Sequence, residues 1–219
     1  MISFEDIRNN PKIRAYIEAG NDVLGVLGFT EHHFAHAQRV ALNAGQLLLD
    51  LGYSEREAEL ARIAGFMHDI GNMINRTDHA QSGALLAFRL LDQMEMDTGE
   101  IAWIVGAIGN HDEHTGQAIS IISAALILAD KSDVRRSRVR IKSQVETDIH
   151  DRVNYAVNES SMTVLKDPKT AVLNLSIDTN ICPVIEYFEI FLERMLMCRR
   201  ACEFLQIKFQ LIINGTEFL

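Results

Sequence analysis

Apolar residues recur at three- and four-residue steps from about Ile7 to Val134, the spacing that gathers them on one face of a helix. Prolines, which break helices, are nearly absent: Pro11, Pro168 and Pro183 are the only three. Ser54 with Glu57, and Asp97 with Glu100, have the spacing of a box that caps a helix start. The first pair opens a helix carrying Leu60, Ile63, Ala64 and Met67. The second opens one carrying Ile101, Ile104, Val105 and Ile108. Gly52 and Gly71 stand where helices can stop. The longest apolar run, Ala118 to Ala129, holds two serines and meets Asp130 at once. It is too short to cross a bilayer and predicts a buried core helix.

Beyond about Val145 the period changes to two. Val153, Tyr155 and Val157 alternate with polar residues, as do Leu173, Leu175 and Ile177, which predicts half-buried strands. Pro183 suits the first turn of a helix reaching about Leu205, with Val184, Phe188, Phe191, Leu192 and Met195 inward. A last strand is expected over Lys208 to Ile213. The expectation is a mainly α protein: a helical domain over 1–144, and a small β-β-α-β extension over 145–219 packed on it.

Composition narrows the partners. A chain of 219 residues with 47% hydrophobic and 23% charged positions can bury a sizeable core. Its net charge of -9 opposes extended nucleic-acid binding. The basic cluster Arg135, Arg136, Arg138, Arg140 and Lys142 stands out against that charge, either as a solvated face or as a phosphate-binding patch. Three cysteines (Cys182, Cys198, Cys202) make no disulfide framework, and free thiols fit a reducing cytoplasm. Cys198 and Cys202 share a helix face and read as packing residues. The first residues, Met1 to Asp6, show no signal peptide. A cytoplasmic protein without membrane attachment is expected, and the β-rich extension could serve as a homodimer surface.

Candidate chemistry comes from polar residues where the helical pattern predicts burial. Asp130 shares the apolar face of Leu126 and Ile122, and a carboxylate there is costly unless paired or metal-bound. His68 ends an apolar helix and is followed by Asp69. His36 lies one turn before Val40, and His111 one turn past Ala107. His79 is followed one turn on by Gly83, which would let another helix come close. Taken singly, each histidine fits an ordinary core or surface role. Together, His36, His68, Asp69, His79, His111 and Asp130 are enough ligands for two divalent ions, with Fe, Mn, Zn, Ni and Co all suited to imidazole and carboxylate. His32, one turn before His36, could face the same interior. His114 fits a substrate contact or a solvated loop, while His33 and His150 read as surface residues. Asp112 and Glu113 read as loop acids or proton carriers.

The order His36, His68-Asp69, Asp130 resembles the HD superfamily of metal-dependent phosphohydrolases. Phe66-Met67-His68-Asp69-Ile70-Gly71 looks like its central motif and Ile127-Leu128-Ala129-Asp130-Lys131 like its closing one, over about residues 30 to 140. His79 in a His-x-x-x-Gly-Ala context, His111 near Thr115-Gly116, and Arg136 six residues past Asp130 are similar to the bacterial diadenosine-tetraphosphate hydrolases of that superfamily. The resemblance implies two metal ions, typically iron, with Asp69 bridging them. It further implies hydrolysis of a phosphoester or phosphoanhydride in a small phosphorylated molecule such as a nucleotide. Asp69 and Arg136 become the candidate catalytic residues, Arg136 as the phosphate contact with Arg39 as runner-up. Asn72 departs from the lysine often found there, and the Gly-Tyr-Pro signature of cyclic-di-GMP phosphodiesterases is absent. Two other readings stay open: a dinuclear-iron oxygenase, and a non-catalytic nucleotide-binding regulator.

Overall fold

A computed structural model describes residues 1–140, 145 and 148–218. Lys142 and the expected boundary after residue 144 lie outside the described residues. The chain opens with helices α1 (Phe4–Asn9), α2 (Pro11–Val26), α3 (Phe34–Leu51) and α4 (Glu55–Met67). A 3-10 turn (Ile70–Met73) leads to α5 (His79–Gln93), α6 (Thr98–Gly109) and α7 (Ile121–Lys131). Beyond a second 3-10 turn (Arg136–Arg138) come α8 (Ile149–Ala156), β1 (Val157–Lys166), β2 (Lys169–Ile177), α9 (Val184–Phe204), β3 (Lys208–Ile213) and β4 (Thr216–Glu217). The protein is mainly α with a small α+β extension, as the hydrophobic pattern predicts.

The first box forms in full at the N-terminus of α4, whereas at α6 Asp97 caps the helix alone and the Glu100 side chain turns to Arg56. Ser54 and Glu57 satisfy each other's backbone N–H, and Asp97 accepts from Gly99 and Glu100. Gly52 closes α3 with φ 90°, a left-handed value that suits a residue without Cβ. Gly71 does not end a helix. It sits inside the 3-10 turn, where a Cβ would lie 2.0 Å from the His79 carbonyl oxygen and 2.5 Å from the Gly83 nitrogen. Its task is to let the turn after Asp69 touch the start of α5.

The bundle buries α4 and α7 at its centre: Ile63, Phe66, Met67, Leu126 and Ile127 are almost wholly enclosed. Helix α3 packs on both, and α5 pairs with α6. In the extension, β1 and β2 form an antiparallel hairpin, and α9 crosses over to place β3 parallel to β2. Strand β1 leans on α3 and α9 on α7, so a single hydrophobic core runs through both parts.

The strand expected from Val153 is a correction. Residues 149–156 form α8, capped by the Asp148 side chain, which accepts from the N–H groups of His150 and Asp151. Val153, Ala156 and Val157 are buried, a spacing of three and four rather than two. The sheet edge begins at Val157. Among the described residues no helix is long and apolar enough to cross a membrane.

Candidate metal centre

Helix α3 brings His36, the α4 end brings His68 and Asp69, α5 begins with His79, α6 is followed by His111, and α7 carries Asp130. All six converge at the bundle centre. His36, His68 and His111 are 1% exposed and His79 4%, so burial alone demands partners for each ring. The outward nitrogen finds one every time. Nδ1 of His68 lies 2.8 Å from the Gly65 carbonyl, that of His79 3.0 Å from Arg76, and that of His111 2.6 Å from Ile108. Nδ1 of His36 lies 2.7 Å from Asp133 Oδ2. Carbonyls and carboxylates only accept, so each Nδ1 carries the proton and donates.

That assignment leaves a problem at the inward nitrogens. His36 and His68 bring Nε2 atoms within 3.3 Å of each other, and His79 and His111 within 3.1 Å. Two unprotonated nitrogens cannot bond each other, so the first pair needs a proton or a cation between them, while at the second Arg76 Nη1 lies 3.3 Å from His79 Nε2 and can donate to it. Asp69 stands between the pairs. Its Oδ2 is 3.2 Å from His68 Nε2 and 3.6 Å from His36 Nε2, while its Oδ1 is 3.5 Å from His79 Nε2 and 4.0 Å from His111 Nε2. Asp130 Oδ1 faces the first pair, 3.4 Å from His36 and 3.6 Å from His68. The triads His36-His68-Asp130 and His68-Asp69-His111 each bring their ligand atoms within 4.8 Å.

Electrostatics agree. Burial works against charge on His68, yet Asp69 and Asp130 outweigh it and raise its pKa to about 10. The same histidine field carries Asp69 well below the usual carboxylate range despite its burial. Burial, with the neighbouring cations His68 and Lys131, pushes His111 well below its usual value. The centre is therefore an electronegative cage. Asp69 Oδ2, buried and without a hydrogen-bond partner, is the oxygen a cation would satisfy. Donor type, inward nitrogens and this orphaned oxygen fit a divalent metal, and the groups that could hold one are His36, His68 and Asp130, or His68, Asp69 and His111.

A surrounding shell fixes these ligands. Asp133 holds His36 and is itself held by Arg135 at 2.8 Å and Arg39 at 3.3 Å. Asn72 donates to Asp69 Oδ1 at 2.8 Å, so the residue that departs from the family lysine secures the central carboxylate. Lys131 binds Asp130 Oδ2 at 2.8 Å and Glu113 at 2.6 Å. Above the cage opens a cavity of about 680 Å³, within the range of small-molecule sites.

The cavity redistributes the expected phosphate contacts. Arg136 does not reach it. Its Nε donates to the Tyr155 carbonyl, its Nη2 to Asn158, and its head lies over the Tyr155 ring, so it fastens the extension. Arg39 is likewise occupied by Asp133 and the Ser160 carbonyl. Arg76, Lys131, Arg138 and Arg194 line the cavity instead. Of these, Arg76 lies 3.9 Å from Asp69 Oδ1. Sequence reasoning missed Arg76, Arg194 and Asp133. Only Asp133 had a signal, one turn beyond Asp130. His32 lines the cavity beside His36, as do Asp112, His114 and the exposed His150. His33 instead precedes α3 with its ring against Phe34.

Residues 33–135 match the family model of the HD domain, a span that encloses every candidate ligand and stops short of α8. Over 160 residues the chain is 24% identical to an uncharacterized protein of Methanocaldococcus jannaschii, covering 63% of this chain and 61% of that one. The chain thus matches about three-fifths of that relative's length. A predicted HD superfamily hydrolase from an uncultured Thermotogales bacterium, known by crystal structure, shares 27% identity over 57% of this chain and 67% of its own, with a TM-score of 0.44.

Proposed function

We propose that this chain is a metal-dependent phosphohydrolase of the HD superfamily, acting on a phosphoester or phosphoanhydride of a small molecule through two ions, with iron the first metal to test. The observation that carries the reading is the set of inward Nε2 atoms arranged around Asp69, each ring held by an outward Nδ1 donor. Bound divalent ions supply Lewis acidity toward a phosphoryl oxygen and acidify a coordinated water. The protein does the rest. Asp69 divides its two oxygens between the histidine pairs and so sets their separation. Asp133 and three backbone carbonyls hold the rings in one tautomer, which keeps the lone pairs aimed. Arg76 places a guanidinium beside Asp69, where a phosphoryl group would sit. His32 donates Nδ1–H to the Thr30 carbonyl at 2.7 Å, and burial together with Arg138 keeps it neutral, so its Nε2 offers a hydrogen-bond acceptor at the cavity wall.

The test is metal analysis joined to a panel of phosphomonoesters, phosphodiesters and nucleotides, dinucleoside tetraphosphates among them, on wild type and Asp69→Ala. The expected result is two ions per chain and turnover in the wild type, with both lost in the variant. Full metal content and activity in Asp69→Ala would sink the reading. Oxygen consumption with a mixed-valent iron signal and no phosphatase activity would replace it with the oxygenase.

A further inference from the structure

Helix α9 lies outside the matched HD segment, yet one of its side chains reaches the cavity. Arg194 donates from Nε to Glu113 Oε1 at 3.0 Å, and its guanidinium carbon lies 4.5 Å from the centre of the Phe191 ring. Those contacts fix the plane of the fork. Its terminal amino groups have no hydrogen-bond partner among the described residues, and the side chain, 24% exposed, lines the cavity. A guanidinium clamped at Nε with its two ends open is pre-organised to take an oxyanion in two parallel hydrogen bonds.

Charge bookkeeping points the same way. Glu113 is shared between Lys131 at 2.6 Å and Arg194, and Lys131 is also bound to Asp130. Lys131 is 4% exposed and enclosed by its two acids, whereas Arg194 shares the single acid Glu113 with it and still faces the cavity, so Arg194 is the cation of this chain that is placed to meet an anion. Arg194 is joined to Asp130 through Glu113 and Lys131, with no direct ion pair to Asp130 among the described residues, so its fork offers an anion a position in the same cavity beside the cage.

We propose that Arg194 binds a second anionic group of the substrate, a phosphate or a carboxylate, and that the C-terminal unit thereby completes the active site and selects substrates carrying two separated anions. This rests on the phosphohydrolase reading. The experiment titrates metal-loaded protein with alkylphosphonates, with phosphonoalkanoates and with alkylene bisphosphonates of one to three methylenes, with metal content measured after each titration. The wild type is expected to bind at least one two-anion probe about tenfold tighter than the alkylphosphonate of matched length. The better of the two series identifies carboxylate or phosphate. In Arg194→Gln that ratio should fall to about one, and in Arg194→Lys it should recover in part. Equal ratios in wild type and Arg194→Gln, or no preference in the wild type, would overturn the proposal. If the glutamine variant does not fold, the wild-type ratio and the lysine variant still decide it. No binding of any alkylphosphonate would overturn the phosphoryl reading itself, and this inference with it.

Discussion

The Asp133 carboxylate meets the metal cage at the His36 ring, and it decides which nitrogen of that ring is free. Its carboxylate takes the Nδ1 proton at 2.7 Å and is pinned by Arg135 and Arg39. Burial disfavours its charge, but the bond to His36 and the nearby arginines hold its pKa below the usual range. In Asp133→Asn the side chain can present an NH2 to His36, which would favour the tautomer with the proton on Nε2. Such outer partners govern ligation by about 10- to 100-fold. A competitive metal titration should therefore show metal affinity falling by about that factor while the circular dichroism is kept. A change below twofold would show that His36 needs no such orientation. The six polar positions that converge at the bundle centre were legible because each stands in or beside an apolar helical run where a polar group is costly. Asp133 was not, because its burial is created by β1 and the arginines that close over it. Arg76 and Arg194 were not, because a cation in a loop or on a helix face looks the same in sequence whether it meets solvent or a cavity.

At the scale of elements, the site depends on a close backbone approach that a side chain would block. The 3-10 turn after Asp69 presses on the start of α5 at Gly71, where an added Cβ would overlap backbone atoms that cannot swing aside. Gly71→Ala should cost about 3 kcal/mol or more, as forced overpacking does. It should also weaken metal binding, because the displaced element carries His79. Gly109→Ala is the control: its Cβ would meet Ala84 Cβ at 3.6 Å, an ordinary contact. Replacing a helical glycine there should be neutral or stabilising by up to about 1 kcal/mol. Thermal melts of the two variants side by side check this, and equal loss in both would refute the steric argument. Element boundaries at Ser54, Asp97 and Pro183 were legible, since capping chemistry is local. Helix α8 was not. Three apolar residues at alternate positions suit a strand, and only the Asp148 cap and the packing of Val153 and Ala156 decide for the helix.

For the whole molecule, the strap of Arg194, Glu113, Lys131 and Asp130 ties the C-terminal unit to the metal cage, and it gives stability a pH signature. Burial raises the Glu113 pKa, but Lys131 and Arg194 outweigh burial and bring it below its ordinary 4.5. A carboxylate lowered on folding contributes stability that is fully present above the unfolded value and lost as pH falls toward the folded one. In the acid range the unfolded chain takes up the proton first, so stability falls with pH. Each such group adds a slope of about 1.4 kcal/mol per pH unit. Urea unfolding of the metal-free protein should give a free energy that declines already below about pH 6.5, where the unfolded chain protonates His32 and His111 that burial keeps neutral in the fold, and declines further below the ordinary carboxylate range. Glu113→Gln should start lower by about 3 kcal/mol, because the buried Lys131 keeps only Asp130 and Arg194 loses its partner. Below that range it should converge on the wild type, since the proton uptake that erodes wild-type stability at Glu113 is missing. Parallel curves for the two proteins down to pH about 3 would mean that Glu113 is not the charge holding the strap together. Convergence would place the joint between the two parts of the molecule at the same carboxylate that steadies Arg194 over the cavity.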